Sequence, residues 1–569
     1  MPRRQQECPF VQALSLLLHG RHLKTLYQWF QENNEINGLP GFIFHIIGTF
    51  RPRRPLEKAF KSYEFPNFFN YRITRVKRTS TLKKILTGAA IFALTGTGTA
   101  AAFWLTAPKP SQNELSNAFC PDMANEQAYK DKGAQTYATL IPGQDGWIFR
   151  TKNDFRNNWT ISEATRDRLL ALQEAMRAHN AELVIVMPPV RGMIHANELL
   201  PADQKLYGDD KLQASWDAYE AFISNAKNAG IDIVGIDRDE VNGKFFYMRN
   251  HHWSSDGARI AAQKAAKEIK TLPVYSQIPK ISYITKAEEP KKYKSSYNSA
   301  FKKICGTSVP AEMAQNYETV PTNATANEQS LFGENSEPQV VLLGTSNSVS
   351  DSSQANFEGF LKEYLSADVM NLAYSGAGID TSIVSYMNSA HYKNGKPKIV
   401  IWEIPGYYNL DIMDTNVFSQ AIPAAYGECR DLALAKGDFK NVTDNNALYA
   451  SQDGGLYGSF PAGQDPRQAT LESNKNLYLH LSFAKPMKDD FKVKFHYKNG
   501  AEGLTKIVKF DRSPRYPADG EFYTLFPEMD KNAELNKVRI TLPEKIKAVD
   551  VSMQICALPK DHTPADESM

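Results

Sequence analysis

The chain has 569 residues, 42% of them hydrophobic, and its 66 Lys and Arg against 63 Asp and Glu leave a formal charge of +3. That length and apolar content suit two to four domains with real cores. So small a charge excludes a composition built for nucleic acid, and any partner must be read from local features.

Residues 10–31 carry apolar side chains at helical spacing and predict one or two short amphipathic helices that pack on a membrane face or a partner. Between 51 and 84, eleven Lys or Arg stand against only Glu57 and Glu64, and 85–105 then supply 21 residues without a charge. At ~1.5 Å per residue, a helix of that length just crosses a hydrocarbon core of about 30 Å. The basic flank, Trp104 at the far end and the polar exit "TAPKP" predict a single-pass transmembrane helix, with 1–84 in the cytoplasm and 106–569 outside it. A buried helix in a soluble protein is the alternative. The long stretch before the segment argues against a cleaved signal peptide. Residues 106–140, with "PKPSQNELS", read as a juxtamembrane linker.

Cys8 falls on the cytoplasmic side, whereas Cys120, Cys305, Cys429 and Cys556 fall outside, where disulfides can form. Pairs 120–305 and 429–556 are expected, because each would close one domain. Buried free thiols are the alternative.

From 141 to 424 the pattern alternates helix and strand. A helix is expected over 160–180 with a Ser or Thr cap, then the strand "AELVIVMPP", a helix over 212–229 and the strand "IDIVGID". A helix follows "RNHHW". Further on come the strand "PQVVLLG", a helix over 354–366, the strand "ADVMNLA", a helix over 378–390 and the strand "PKIVIWEI". Continuous apolar runs of this kind belong to strands buried on both faces, as in a parallel α/β sheet. Residues 274–335, polar and rich in Lys, read as an insertion or long loop. From 425 to 569, short alternating strands separated by turn residues predict a β-sandwich.

In an open parallel sheet, reactive groups gather just beyond the carboxyl ends of the strands. Ser346 lies there, in "GTSNS" after "VVLLG", at a strand-to-helix turn where backbone amides can face an oxyanion. A helix cap is the bland alternative. The glycines of "NLAYSGAG" allow close approach to the backbone. A serine nucleophile needs a base, and in extended backbone Asn250 and His252 project the same way, so the first can orient the second. His251 is expected to point elsewhere, into solvent. No HExxH, CxxC or third nearby histidine supports a metal, and none is expected.

"GQDGWIF" (143–149), "NHHW" before "GAR", "GTSNS", "NLAYSGAG" and "IVIWEIP" stand in the order found in the AlgX/AlgJ-like polysaccharide O-acetyltransferases, a family of SGNH-hydrolase-like proteins. The resemblance spans about 120–425, and the β-rich tail resembles the carbohydrate-binding module of AlgX. It implies a circularly permuted SGNH-hydrolase-like domain, with the histidine block ahead of the serine. Residue by residue, it implies His252 as general base, Ser346 as nucleophile, and Trp253, Asn347 and Gly376 as positioning or oxyanion groups. Arg191, Tyr374 and Tyr407 are expected at the substrate. Asn250 departs from the pattern, which has Asp there. An amide can accept the His Nδ1–H but brings no charge, and a comparable swap in a serine protease cost about 10⁴ in rate. Asp256 could substitute if its loop folded back; the simpler reading puts it at a helix start. The G-x-N block of ordinary SGNH enzymes is missing, with "WEIPGYY" in its place, so a third oxyanion donor stays unidentified.

The expected function is acetyl transfer to an exopolysaccharide at the periplasmic face of a bacterial inner membrane. No cofactor is expected; a membrane-bound partner in the synthesis and export complex would deliver the acetyl donor. Tyr478, Lys494, Tyr497 and Arg515 are candidates for holding the polymer. An acetylesterase and a non-catalytic polysaccharide-binding scaffold are the alternatives.

Overall fold

The computed structural model describes residues 115–558, apart from 323–336, 451–476, 507–519, 527–534 and a number of shorter breaks. The cytoplasmic region, its amphipathic segment and the transmembrane helix expected over 85–105 lie outside the described residues, as does Arg515. No helix among the described residues is long and apolar enough to cross a membrane.

The first strands form a hairpin, β1 (Leu140–Pro142) against β2 (Ile148–Arg150). β3 (Glu182–Val186) and the two-residue β4 (Ile233–Val234) follow. Next come two small antiparallel pairs: β5 (Tyr283–Ala287) with β8 (Tyr317–Pro321), and β6 (Lys291–Tyr293) with β7 (Glu312–Ala314). β9 (Val340–Leu343), β10 (Val369–Asn371) and β11 (Ile399–Glu403) complete a five-stranded sheet of order β10-β9-β11-β3-β4, parallel throughout.

Strand periodicity divides this sheet cleanly. Leu183, Ile185, Val341, Leu343, Val400 and Trp402 face one core, while Val184, Val186, Val340, Leu342, Ile399 and Ile401 face the other. The first face is covered by helices Glu163–Arg177, Asp210–Asn228, Asp380–Met387 and Thr415–Tyr426. The second is covered by Ser255–Ile269 and Phe357–Leu365. Ser162 caps the first of these helices by accepting from Thr165 N–H at 3.2 Å. Along Ser255–Ile269 the buried face is mostly alanine (Ala258, Ala261, Ala262, Ala265, Ala266), which lets that helix, and the loop before it, lie close to the sheet.

Two expectations need correction. Within 106–140, residues 115–140 are no linker: Leu115, Met123 and Tyr129 form a small core with Tyr297, Ala300 and Phe301, closed by the Cys120–Cys305 disulfide. Nor is the described part of 274–335, residues 274–322, a long loop, since it carries β5–β8 and the helix Asn298–Cys305. Each segment alone has too few apolar residues to show a period. Together they bury a shared core, and the disulfide closes a loop long enough to add about 2–4 kcal/mol.

The tail holds β12 (Ala435–Thr443), β13 (Ala447–Ala450), β14 (Leu477–Phe483), β15 (Lys492–Tyr497), β16 (Glu502–Lys506), β17 (Glu521–Leu525), β18 (Leu535–Thr541) and β19 (Ala548–Ala557). They form two four-stranded antiparallel sheets of order β12-β19-β14-β17 and β13-β18-β15-β16. Leu479, Leu481, Val551 and Met553 of one sheet, and Val493, Phe495, Val538 and Ile540 of the other, join the same buried cluster as the helix Thr415–Tyr426. The Cys429–Cys556 disulfide ties β19 to the segment after that helix.

Candidate active site

Every candidate group in the α/β domain lies beyond the carboxyl end of a strand: Arg191 after β3, the 250–253 loop after β4, Ser346 after β9, Tyr374 after β10 and Tyr407 after β11. Ser346 Oγ lies 2.8 Å from His252 Nε2, although 94 positions separate the two in the chain. The other ring nitrogen, Nδ1, lies 2.7 Å from Asn250 Oδ1.

The orientation of that amide is fixed by partners that cannot reverse. Asn250 Oδ1 also accepts the backbone N–H of His252 at 3.2 Å, and Asn250 Nδ2 donates to the carbonyl of Lys294 at 3.2 Å. A backbone donor on one side and a backbone acceptor on the other leave only one way to place oxygen and nitrogen. Nδ1 therefore carries the proton and Nε2 is left as the acceptor for the Ser346 hydroxyl. The tautomer a carboxylate would select is selected here by geometry, without charge. Burial, and secondly the Arg150 guanidinium, push the His252 imidazole down to about 3, so it is neutral at rest. Arg150 is buried and paired with Asp154 at 2.8 Å.

The segment read as an insertion supports the base from several sides. Ser295 Oγ donates to the Arg249 carbonyl, Ser296 Oγ bonds His251 Nδ1 at 2.8 Å, and Tyr293 Oη lies 3.0 Å from His252 Nδ1. Glu312, from β7, accepts the backbone N–H groups of Met248 and Arg249, both at 3.0 Å. Burial raises its carboxyl, and those two donors partly offset the rise. His251 is not solvated as expected. It is half-buried, held by Ser296 and packed against His252, with ring centroids 4.0 Å apart and planes tilted by 36°.

The nucleophile turn has its own support. Glu403, fully buried at the end of β11, accepts from Thr345 N–H at 2.8 Å, Thr345 Oγ1 at 3.0 Å, Ser348 Oγ at 3.2 Å and, through its other oxygen, Asn347 Nδ2 at 3.1 Å. Gly344 is required here because a Cβ would sit 2.7 Å from Glu403 Oε2. Burial raises the Glu403 carboxyl, opposed first by the Thr345 N–H. The Trp253 indole N–H donates to the Asn347 carbonyl at 2.9 Å and so ties the base loop to the nucleophile loop.

Other expected groups fall differently. The Asn347 side chain is buried against Glu403 and does not offer its amide to an oxyanion. Arg191 is not at the substrate. It is 2% exposed, and its donors are spent on the carbonyls of Ile148, Tyr247 and Met248 and on Asp154. Its work is to pin the chain just ahead of the base loop, beneath the rings of Trp147 and Phe149. Gly376 is exposed with φ +83°, Tyr374 is half-buried with its N–H on the Gly344 carbonyl at 3.0 Å, and Tyr407 is half-buried under the Arg150 guanidinium at 4.6 Å. Asp256 is exposed in the first turn of the helix Ser255–Ile269, which Ser254 caps. In the tail, Tyr478 is buried and its hydroxyl donates to the Gly427 carbonyl at 2.9 Å, so it is not presented to a polymer.

Glu403 and Arg150 escaped the sequence reading, though each leaves a trace: a lone charge ending an apolar strand. Tyr293 and Glu312 leave none, because β6 and β7 are too short to show a pattern.

Residues 140–406 match the family model described as SGNH hydrolase-like domain, acetyltransferase AlgX. The alginate biosynthesis protein AlgX of Azotobacter vinelandii is 27% identical over 486 residues, covering 84% of this chain and 96% of that protein. The probable alginate O-acetylase AlgJ of Pseudomonas aeruginosa is 25% identical over 366 residues, covering 57% of this chain and 88% of that protein. Among solved structures, Pseudomonas aeruginosa AlgX superposes with a TM-score of 0.64 at 26% identity, covering 77% of this chain and all of that one.

Proposed function

Because the chain belongs to the AlgX/AlgJ-like family, we propose that it acts in exopolysaccharide synthesis as an O-acetyltransferase. One observation carries this reading: the Ser346–His252 hydrogen bond of 2.8 Å, with the far side of the ring held by Asn250 at 2.7 Å. In the proposed reaction Ser346 Oγ attacks the carbonyl carbon of an acetyl donor while its proton passes to His252 Nε2. The tetrahedral intermediate collapses to an acetyl-serine ester as the donor's leaving group takes that proton. A sugar hydroxyl then attacks the ester, giving its proton to Nε2, and Ser346 leaves and recovers it. Gly376 is assigned to the oxyanion side, and Tyr374 and Tyr407 to the substrate.

The same proposal puts the main body in the periplasm of a bacterium, anchored in the inner membrane by the helix over 85–105. The disulfides Cys120–Cys305 and Cys429–Cys556 favour an oxidising compartment. A membrane-bound partner would hand over the acetyl donor, and the two tail sheets would act as a β-sandwich that holds polymer. Asn250 favours a second reading, a non-catalytic scaffold that binds polysaccharide within the synthesis complex. Ser346→Ala separates the two. Polymer O-acetylation should disappear while the variant keeps its melting temperature; acetylation at the wild-type level would leave only the scaffold.

A further inference from the structure

We propose that Tyr293 is a positioning residue for His252 and makes up part of the deficit left by an amide at position 250. The inference rests on the Ser346–His252 reading and deepens it.

His252 Nδ1 has two oxygen neighbours, Asn250 Oδ1 at 2.7 Å and Tyr293 Oη at 3.0 Å. With the amide fixed by Lys294 and by the His252 backbone, Oδ1 is the atom it turns toward the ring. Because Nδ1 carries the ring proton, the phenol oxygen faces it as a second acceptor. When Ser346 passes its proton to Nε2 the ring becomes a cation, and Nδ1–H is shared between two neutral oxygens. A carboxylate would meet that charge with its own; here two oriented dipoles do so in a buried site, where dipoles count for more than in water.

The surroundings make this help necessary. Arg150 opposes a positive charge on the ring. Glu312, on the strand paired with β6, is spent on the backbone N–H groups of Met248 and Arg249. Packing holds Tyr293 in place, since it is 7% exposed and its ring lies on Tyr247 with centroids 4.7 Å apart. Tyr247 is in turn fixed through its carbonyl by Arg191.

The test is a double-mutant cycle in the full chain, read by turnover of a chromogenic acetyl ester with kcat and KM separated and thermal melting as the folding control. In the wild-type background Tyr293→Phe should lower kcat about 10- to 100-fold, as expected for one hydrogen bond to a charged group, and leave KM unchanged. In the Asn250→Asp background the same change should cost about 3-fold or less, because the carboxylate already meets the imidazolium. An unchanged kcat in the wild-type background overturns the inference. So does an equal loss in both backgrounds, which marks a packing effect. If Ser346→Ala hydrolyses the ester as fast as wild type, the Ser–His reading fails first and takes this inference with it.

Discussion

Asn250→Asp is the substitution that probes the base most directly. It exchanges Nδ2 for an oxygen and adds a charge, while the oxygen 2.7 Å from His252 Nδ1 stays in place. An anion and an imidazolium about 4 Å apart, at an effective dielectric of about 20, attract by about 4 kcal/mol. Against this, the new oxygen faces the Lys294 carbonyl that Nδ2 now serves at 3.2 Å. Losing that bond and setting two acceptors together costs about 1–3 kcal/mol. The balance favours the variant by about 1–3 kcal/mol, a gain of about 5- to 150-fold in kcat for acetyl-ester turnover. The pH profile shifts as well. With the ring pushed down to about 3, wild-type kcat/KM should stay level as pH falls to about 5. A carboxylate neighbour raises the ring's affinity for protons, so the variant should develop an acid limb nearer neutrality. A variant no faster than wild type, with the same level profile, would refute the argument that charge is what the native site lacks.

Three further outcomes follow from the supporting groups. Glu403→Leu orphans the Thr345 N–H, two hydroxyls and the Asn347 amide, and should cut kcat by about 100-fold or more; Glu403→Gln, which keeps an acceptor for Thr345 N–H, should recover most of it. Equal kcat in wild type and Glu403→Leu would deny the carboxylate any part in shaping the turn. Arg191→Leu should destabilise the fold by about 3–5 kcal/mol in urea titration, because Asp154 and three carbonyls lose a buried partner. A raised KM at unchanged stability would return Arg191 to the substrate. His195, which accepts the Phe246 N–H at 3.1 Å, is pushed down to about 3 by burial and then by Arg191. A lowered folded value means the unfolded chain binds the extra proton, so this contribution is whole above about pH 6.5 and shrinks as pH falls toward 3, by up to about 2 kcal/mol at pH 5. Urea titrations at pH 7.5 and 5 should show a smaller acid loss in His195→Gln than in wild type, and identical losses would remove His195 as a cause.

Much was legible in the sequence because its signals are local. The runs "LVIV", "VVLL" and "IVIWE" are apolar at nearly every position, which only a strand covered on both faces requires, and they became β3, β9 and β11. Ser346 could be named because reactive groups in a parallel sheet gather just past a strand, and His252 because a serine needs a base. Asn250 was paired with it by assuming extended backbone, whereas residues 248–252 are turns and bends and Oδ1 reaches His252 by accepting its backbone N–H as well. The cysteine pairing followed from closing each domain once. What holds the base and the nucleophile was not legible. Arg191 looked like a substrate ligand, and only three-dimensional packing shows its donors consumed by carbonyls from two other segments. Tyr293, Ser296 and Glu312 sit in a stretch with no period, and they reach the base because β6 and β7 pair and a disulfide draws 120 to 305. Short-range patterning decides which residues form strands and turns. Whether a buried polar atom is satisfied, and by whom, depends on chain segments far apart in sequence, and only the tertiary structure decides that.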